Sequence, residues 1–243
     1  MLGLNLTRRF LTKRPSPPLS RQSVRGMSFT VKQMPQPRPL RAEDGPLVFV
    51  DLEMTGLEFK RDVILEVAII ITNGDLERVD QPFSYVIRTE KKRLDEMDEW
   101  CTKTHGESGL TKACIESPYS HEWVEAKALE YIKKWVPEKW TGVLAGSSVH
   151  ADRAFLVEHM PSITEWLHYR IVDVSTVKEL NKRWYPHISR KPEDYPSNGV
   201  QHRALDDIQA SIRELQWYRE NIFIQPEAPQ GTREATGPST LSS

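Results

Sequence analysis

A chain of 243 residues with 38% hydrophobic and 28% charged side chains has room for one sizeable domain or two small ones. It contains no apolar run near the roughly 20 residues that span a bilayer. Its two cysteines, Cys101 and Cys114, are too few for a disulfide framework or a structural zinc site. The composition therefore predicts a soluble protein with reduced thiols and no membrane partner.

The formal charge of −1 hides a strong asymmetry along the chain. Residues 1–42 hold nine Lys or Arg and no acid, so the other 24 basic residues accompany all 34 acids in residues 43–243, with a formal charge of −10. An acid-free, Arg-rich segment with Ser and Pro is typical of a mitochondrial presequence and predicts a matrix location. The alternative is a disordered basic arm that contacts nucleic acid. A start at Met27 would give a shorter cytoplasmic or nuclear form without the presequence.

Three apolar segments follow in close succession and predict consecutive β-strands. They are residues 47–52 (LVFVDL), 63–71 (VILEVAIII) and 83–88 (FSYVIR). Their short connections favour an antiparallel meander. Apolar residues at helical spacing from Trp123 to Trp135 then predict a helix that ends before Pro137.

The second half of the domain alternates between strand and helix patterns. We expect strands at 142–146 and 170–174, a helix at about 152–160, a helix capped by Ser175, and a last helix at 203–221 after a polar loop at 186–200. The pattern predicts one α/β domain at 43–225, with a mixed sheet, the three-strand meander and helices on its faces. Residues 226–243 lack apolar periodicity and are expected to be disordered.

Two acids interrupt the end of the first predicted strand, Asp51 and Glu53. Side chains two residues apart on a strand share a face, where two like charges favour a cation between them. Solvated acids at a turn before Gly56 are the alternative. Asp152 opens a predicted helix after a strand, where ligand sites gather in α/β sheets, although it also suits an ordinary helix start. Asp207 lies in the last helix beside Asp206, and periodicity does not settle which of these two faces the sheet.

Three ordered motifs give these acids a common context: DLEMTGL from Asp51, HADRAFL from His150 and HRALDD from His202. With MDEWCTKTHGESGL, HYRIVDVSTVKEL and ELQWYREN in order and spacing, the chain resembles the oligoribonucleases, in the His-containing branch of the DEDD exonucleases. The resemblance covers about residues 46–223. It points to a mitochondrial eukaryotic member and implies a ribonuclease H-like fold with 3′-to-5′ hydrolysis of very short RNA to 5′-mononucleotides.

The resemblance also assigns roles to residues. It implies two divalent ions, Mg²⁺ or Mn²⁺, bound by Asp51, Glu53, Asp152 and Asp207, with His202 as the general base. Asp173 and Glu66 lie outside the motifs and are expected to be structural. The family positions that contact the substrate correspond here to Leu57, Trp100, His105, Ser148, Tyr169, Arg170 and Ser175. Gly146-Ser147-Ser148 stands where the family often has Gly-Asn-Ser, so any contact from an Asn side chain is missing.

Family members are homodimers whose sites borrow partner residues, and Tyr169 is the candidate donor. The expected partner is short single-stranded RNA, dinucleotides above all. The acidic charge of residues 43–243 fits a small substrate, because proteins that track long nucleic acids are usually basic. Two other functions stay open: a related nuclease that trims longer RNA or single-stranded DNA, and a catalytically silent scaffold that binds nucleic acid.

Overall fold

The computed structural model describes residues 38–188 and 203–223, and its centre is a five-stranded mixed sheet. The strands are β1 Leu47–Met54, β2 Ile64–Thr72, β3 Phe83–Val86, β4 Val143–Gly146 and β5 Ile171–Asp173. Their order in the sheet is β3-β2-β1-β4-β5, with β1, β2 and β3 antiparallel and β1, β4 and β5 parallel. This confirms the mixed sheet and its meander.

Helices cover both faces of this sheet, and a short 3-10 helix, Ala42–Asp44, precedes β1. The helices are α1 Lys91–Leu94, α2 Glu99–Glu107, α3 Leu110–Glu116, α4 His121–Trp135, α5 Val149–His159, α6 Pro161–Trp166, α7 Val174–Trp184 and α8 Ala204–Asn221. Because alternate residues of a strand point to opposite faces, Val48 and Val50 of β1 pack under α4, α5 and α6, while Phe49 packs under α7 and α8.

β2 is the most completely enclosed strand, since all nine of its side chains are buried. Helices cover both of its faces, and β1 and β3 pair with its two edges. β1 runs two residues further than predicted, to Met54, with a register shift between Glu53 and Met54. β3 is shorter than the predicted 83–88 strand, because the amide of Arg88 leaves the sheet and donates to the carbonyl of Tyr119.

Two helix boundaries differ from those expected. Asp173, rather than Ser175, caps α7: its carboxylate accepts a hydrogen bond from the amide of Ser175. α5 starts three residues before Asp152, which places this acid in its first turn. The sequence prediction had no helix at 99–116, whereas the structure has α2 and α3, whose few apolar side chains, such as Leu110, pack below β2.

Several sequence predictions lie outside the described residues. These are most of the segment 1–42, the tail 226–243, most of the loop 186–200, and His202. Within the described ranges, none of the helices combines the length and the apolar character needed to cross a bilayer.

Replacement of Ile69 by Ala tests the energetic weight of β2. Ile69 is fully buried in the face below α4. We expect the free energy of unfolding to fall by about 2–5 kcal/mol, because lost transfer energy and a residual cavity add. Urea unfolding followed by circular dichroism measures this loss. Ile115→Ala on exposed α3 is the control and should cost less than about 1 kcal/mol; equal losses would contradict the assignment of β2 to the core.

Candidate active site

The end of β1 carries Asp51 and Glu53 to the face of the sheet that α8 covers. They share this face with Phe49, since all three occupy odd positions of the strand. Asp207 approaches them from α8. One carboxylate oxygen from each of these three acids lies within 4.8 Å of the other two. This is close enough for all three to bind one cation, so the structure brings together three of the four predicted metal ligands.

The first turn of α8 separates Asp207 from its neighbour Asp206. The carbonyl of Arg203 accepts hydrogen bonds from the amides of both aspartates, which starts the helix. Asp206 points to solvent, while Asp207 is half-buried and faces β1. The structure therefore answers the question that helical periodicity left open.

Asp152, the fourth predicted ligand, lies on α5 and forms a hydrogen bond with the backbone of β1. Its side chain is 6% exposed, and its Oδ1 accepts a hydrogen bond of 2.9 Å from the amide of Leu52, between Asp51 and Glu53. Among the described residues, the group of acids that meet within 4.8 Å does not include it. Its charge nevertheless raises the pKa of Asp51. A ligand role for Asp152 stays a prediction.

Burial, with a smaller effect of like charge, raises the pKa of Asp51, Glu53 and Asp152. Burial is the main cause for Asp51, whose pKa lies well above its usual range, followed by the charges of Asp152 and Asp207. Burial and then Asp207 raise the pKa of Glu53 from 4.5 to about 8, and burial raises that of Asp152 from 3.8 to about 7. Without a cation, the cluster therefore retains protons near neutral pH.

A cavity of about 830 Å³ opens over the three carboxylates. Leu57, Trp100 and His105, three of the residues expected to contact a substrate, line it. Leu57 and Trp100 are 79% and 62% exposed, so both present apolar surface to the cavity.

His105 differs from the other two because it is 1% exposed. Its Nε2 lies 2.9 Å from the carbonyl oxygen of Met54, to which only a protonated nitrogen can donate. Its Nδ1 lies 4.0 Å from Oε2 of Glu53. His105 thus supports the end of β1, and its predicted contact with substrate stays untested.

The loop that carries Leu57 is held by Asp62, which sequence reasoning missed. The carboxylate of Asp62 accepts hydrogen bonds from the amide of Glu58 at 2.9 Å and from Oγ1 of Thr55 at 3.2 Å. Gly56 lies against the same carboxylate, because a Cβ there would stand 2.5 Å from Oδ2 of Asp62. The glycine directly before Leu57 was the available signal of this tight packing.

Four predicted substrate residues form two further groups, Ser148 with Ser175 and Tyr169 with Arg170. The Oγ of Ser175 lies 3.0 Å from that of Ser148 and 2.9 Å from that of Ser147, which the prediction did not include. Asp173 joins the starts of α5 and α7, since its Oδ1 accepts from the amides of Ser148 and Ser175 at 2.9 Å each. The positive φ of 55° at Ser148 is maintained by this bond.

Tyr169 and Arg170 lie on an open groove with a volume of about 560 Å³, which His150 and Arg153 also line. Tyr169 is 70% exposed, and the guanidinium carbon of Arg170 lies 5.3 Å from the centre of its ring. Three cationic or titratable side chains beside a hydroxyl cluster are suitable partners for a phosphate.

Comparison with known proteins agrees with this geometry. Residues 48–215 match the family model described as Exonuclease, named after RNase T. A Schizosaccharomyces pombe protein named probable oligoribonuclease is 52% identical over 174 residues, which cover 72% of this chain and 67% of that protein. The chain belongs to the oligoribonuclease family of exonucleases. A second oligoribonuclease, the mitochondrial protein of Mus musculus, is 48% identical over 180 residues, covering 73% of each chain.

Solved structures share the fold of this chain. Exonuclease I of E. coli, in complex with a dT13 oligonucleotide, is similar with a TM-score of 0.56 at 15% identity. The match covers 72% of this chain, and the chain spans about two fifths, 41%, of that structure's length. The expectation of a ribonuclease H-like exonuclease fold is therefore confirmed. At such low identity the likeness concerns the fold alone.

The donor atoms of this site suit a hard divalent cation. The three carboxylates offer oxygen atoms, the ligands that Mg²⁺ and Mn²⁺ prefer, whereas zinc sites typically use nitrogen and sulfur. The raised pKa values show that the negative charges are poorly compensated by other groups of the protein. A bound cation would supply that compensation.

The raised pKa values predict how stability depends on pH. Between about pH 4.5, where the unfolded Glu53 ionises, and pH 8, its pKa in the fold, the folded protein binds protons that the unfolded chain has lost. The free energy of unfolding of the metal-free protein should therefore fall by on the order of a few kcal/mol as pH rises through this window. Calorimetry in EDTA at pH 5.5 and 8.5 measures it.

Two comparisons test the cause of that fall. Asp51→Asn removes one interacting charge and should flatten the slope. Mg²⁺ should raise the melting temperature more at pH 8.5 than at pH 5.5. At pH 5.5 it must displace protons from the carboxylates in order to bind, which weakens its binding. A stability that increases from pH 5.5 to 8.5 in EDTA would contradict the raised pKa values.

Proposed function

We propose that this chain removes nucleotides from the 3′ end of very short RNA oligonucleotides and releases 5′-mononucleotides. One observation carries the proposal: Asp51, Glu53 and Asp207 meet at the floor of a cavity whose walls expose Leu57 and Trp100. The oligoribonuclease relatives support the substrate class. The proposed catalytic domain is residues 43–225, which contains the family match at 48–215.

The cofactor in this proposal is a pair of Mg²⁺ or Mn²⁺ ions held by Asp51, Glu53, Asp152 and Asp207. Such ions, when bound, activate water and neutralise charge on the phosphodiester and the leaving oxygen. His202 accepts the proton from the attacking water, since its unperturbed pKa lies near the working pH. His202 precedes Arg203 in sequence, and this role rests on the HRALDD motif.

The remaining predicted residues bind the two ends of the substrate. Leu57 and Trp100 contact the bases at the 3′ end, where their exposed apolar surface meets a flat aromatic ring. His105, on the wall of the same cavity, is assigned by the family resemblance to the phosphate and 5′ end of the substrate. Ser148 and Ser175 supply hydroxyls, and Arg170 and Tyr169 supply charge and a hydrogen-bond donor, for the phosphate at the 5′ end.

A closed 5′ end would explain a preference for short substrates, because a longer strand needs an exit. The charge of −10 for residues 43–243 supports the same preference, since affinity for long RNA grows with phosphate contacts made by Lys and Arg. A nuclease for longer RNA or single-stranded DNA is the alternative. The exonuclease I complex with dT13 shares only the fold with this chain.

A length series tests the proposal. The full chain is incubated with Mg²⁺ and 5′-labelled RNAs of two, five and 24 nucleotides. We expect rapid loss of the dinucleotide, with the 24-mer nearly intact. Asp207→Asn should lower the rate by at least about 100-fold, because one ligand oxygen is replaced by an amide.

Other outcomes of the same series separate the alternatives. Equal or faster cleavage of the 24-mer would refute the closed 5′ end while retaining the metal-dependent chemistry. Absence of cleavage of any RNA, by protein with a normal circular dichroism spectrum, would support the silent scaffold.

We also propose that the protein is a homodimer in which Tyr169 reaches the partner's site. Tyr169 is exposed to solvent in the single chain, as is Trp184 at the end of α7. Tyr169 lies two residues before β5, the edge strand of the sheet, and Trp184 lies 11 residues after it. An exposed edge of a sheet with large apolar side chains nearby is suited to pairing with a second copy.

The location that we propose is the mitochondrial matrix. Support comes from the acid-free, Arg-rich composition of residues 1–42 and from the mitochondrial relative in Mus musculus. A form that starts at Met27 would lack most of this segment and remain in the cytoplasm or nucleus.

Mass spectrometry of protein N-termini from separated compartments tests this location. We expect a matrix form that begins near residue 42, because a presequence is removed on import. A second form beginning at Met27 or Ser28 should appear outside the matrix. Matrix protein that retains Met1 would contradict the presequence, and a single matrix form would exclude the shorter product. An Arg8→Glu, Arg9→Glu variant, which weakens the basic character, should reduce import.

A further inference from the structure

Glu66 is a buried acid that the proposed chemistry does not use. It lies in the strand β2, where it is 1% exposed, and it stands directly opposite Glu53 in the pairing of β1 with β2. Opposite side chains of an antiparallel pair share a face, with Cβ atoms about 5 Å apart. Glu66 therefore adds a like charge beside a candidate metal ligand, and burial makes that charge costly.

Arg203 compensates this charge with a two-pronged ion pair. Its Nε donates to Oε2 of Glu66 at 2.8 Å, and its Nη2 donates to Oε1 at 2.7 Å. Two parallel hydrogen bonds between a guanidinium and a carboxylate fix the orientation of the two groups as well as their distance. A single contact between an ammonium group and a carboxylate fixes only the distance. The relative orientation of the two residues is therefore well defined.

The ion pair joins β2 to the residue that directly precedes α8. Arg203 is the N-terminal cap of that helix, and its carbonyl accepts from the amides of Asp206 and Asp207. Asp207 is four residues further, about one helical turn. The guanidinium of Arg203 and the carboxylate of Asp207 thus belong to the same rigid turn.

Other directional contacts of α8 lie further along the helix, where Arg219 bonds to Asp75 and Gln216 donates to the carbonyl of Leu76. On the sheet itself, Ala204 and Ile208, which flank Asp207, pack on apolar residues such as Phe49 and Ile70. Such packing is strong but non-directional. Metal sites require ligand positions within about 0.5 Å, so a small slide or rotation of α8 would displace the short side chain of Asp207 too far.

We propose that Glu66 and Arg203 form a clamp that positions α8 so that Asp207 meets Asp51 and Glu53 in a geometry suited to a divalent cation. The clamp has a second effect. By binding the Nε and Nη2 edge of Arg203, Glu66 keeps this cation from pairing with Glu53, whose oxygens remain available. Both are positioning residues, and the inference rests on the metal centre in the proposed function.

A matched ion pair elsewhere on α8 provides the control. Lys178 of α7 lies 3.2 Å from the carboxylate of Glu214, which is 6% exposed and belongs to the middle of α8. This pair also joins α8 to a neighbouring element through a buried glutamate. It lies seven residues beyond Asp207 and does not involve the first turn. Glu214→Gln should therefore loosen α8 without moving the ligand.

The experiment measures Mn²⁺ binding by isothermal titration calorimetry in Glu66→Gln, Arg203→Met, the double variant, Glu214→Gln and the wild type. Urea unfolding is measured in parallel. We expect Glu66→Gln to weaken Mn²⁺ binding by at least about tenfold, the range found for residues that orient metal ligands. Arg203→Met should weaken it less, because no guanidinium is left to compete for Glu53. The double variant should match Arg203→Met.

Activity gives a second readout. At saturating Mg²⁺ the KM of Glu66→Gln for a dinucleotide should stay within about twofold of the wild type, since the bases contact other residues. The Mg²⁺ concentration for half-maximal rate should rise about tenfold. Glu214→Gln should reduce stability while leaving both metal measurements unchanged.

The outcomes separate the clamp from the proposed function. Unchanged Mn²⁺ binding in folded Glu66→Gln, or an equal loss in Glu214→Gln, would overturn the clamp. A wild type without Mn²⁺ binding would overturn the metal centre and the clamp with it. If Glu66→Gln does not fold, Arg203→Lys decides, because a lysine retains the charge but not the fork: unchanged Mn²⁺ binding overturns the clamp, and a several-fold loss supports it.

Discussion

Repulsion among carboxylates at the end of β1 is the constraint on which the rest of the site depends. Asp51, Glu53 and Asp207 converge in a partly buried place, where burial and then the charge of neighbours such as Asp207 raise the pKa of Asp51 and Glu53. Their approach is unfavourable without a cation, so the surrounding fold must enforce it. The fully buried strand β2 supplies the rigid support, and α8 packs across it. Stability that comes from the apolar core thus maintains a charged cluster that opposes folding, a common arrangement at functional sites.

Apolar periodicity predicted the parts of the fold that bury continuous apolar surface. β1, β2, α4 and α8 were expected close to their observed bounds, because their side chains repeat with the period of a strand or a helix. α2 and α3 were missed, since 99–116 offers few apolar residues and becomes helical through local caps, such as Asp98 accepting from the amide of Cys101, and through packing under β2. The cap of α7 was misplaced because Asp173 and Ser175 are both good capping residues.

The candidate site contains residues that the sequence predicted and supporting residues that only the structure reveals. Motif spacing identified Asp51, Glu53 and Asp207, and the structure brings them together. What spacing cannot express is how the neighbours hold them. Glu66 looked like an isolated structural acid until its pairing with Arg203, 137 residues later, became visible. The role of Asp62 is likewise visible only in the structure, where its carboxylate accepts hydrogen bonds from both sides of the loop that carries Leu57. Such supporting residues depend on three-dimensional partners and leave little trace in a local pattern.

The placement of Asp207 has a consequence for the life of the chain. The carboxylates of β1 leave the ribosome early, but Asp207 lies on α8, the last described helix, more than 150 residues later. An unfinished or partly unfolded chain therefore lacks a complete cation site. Under the proposed function, hydrolysis of short RNA would therefore begin only when α8 has been synthesised and has packed on the sheet.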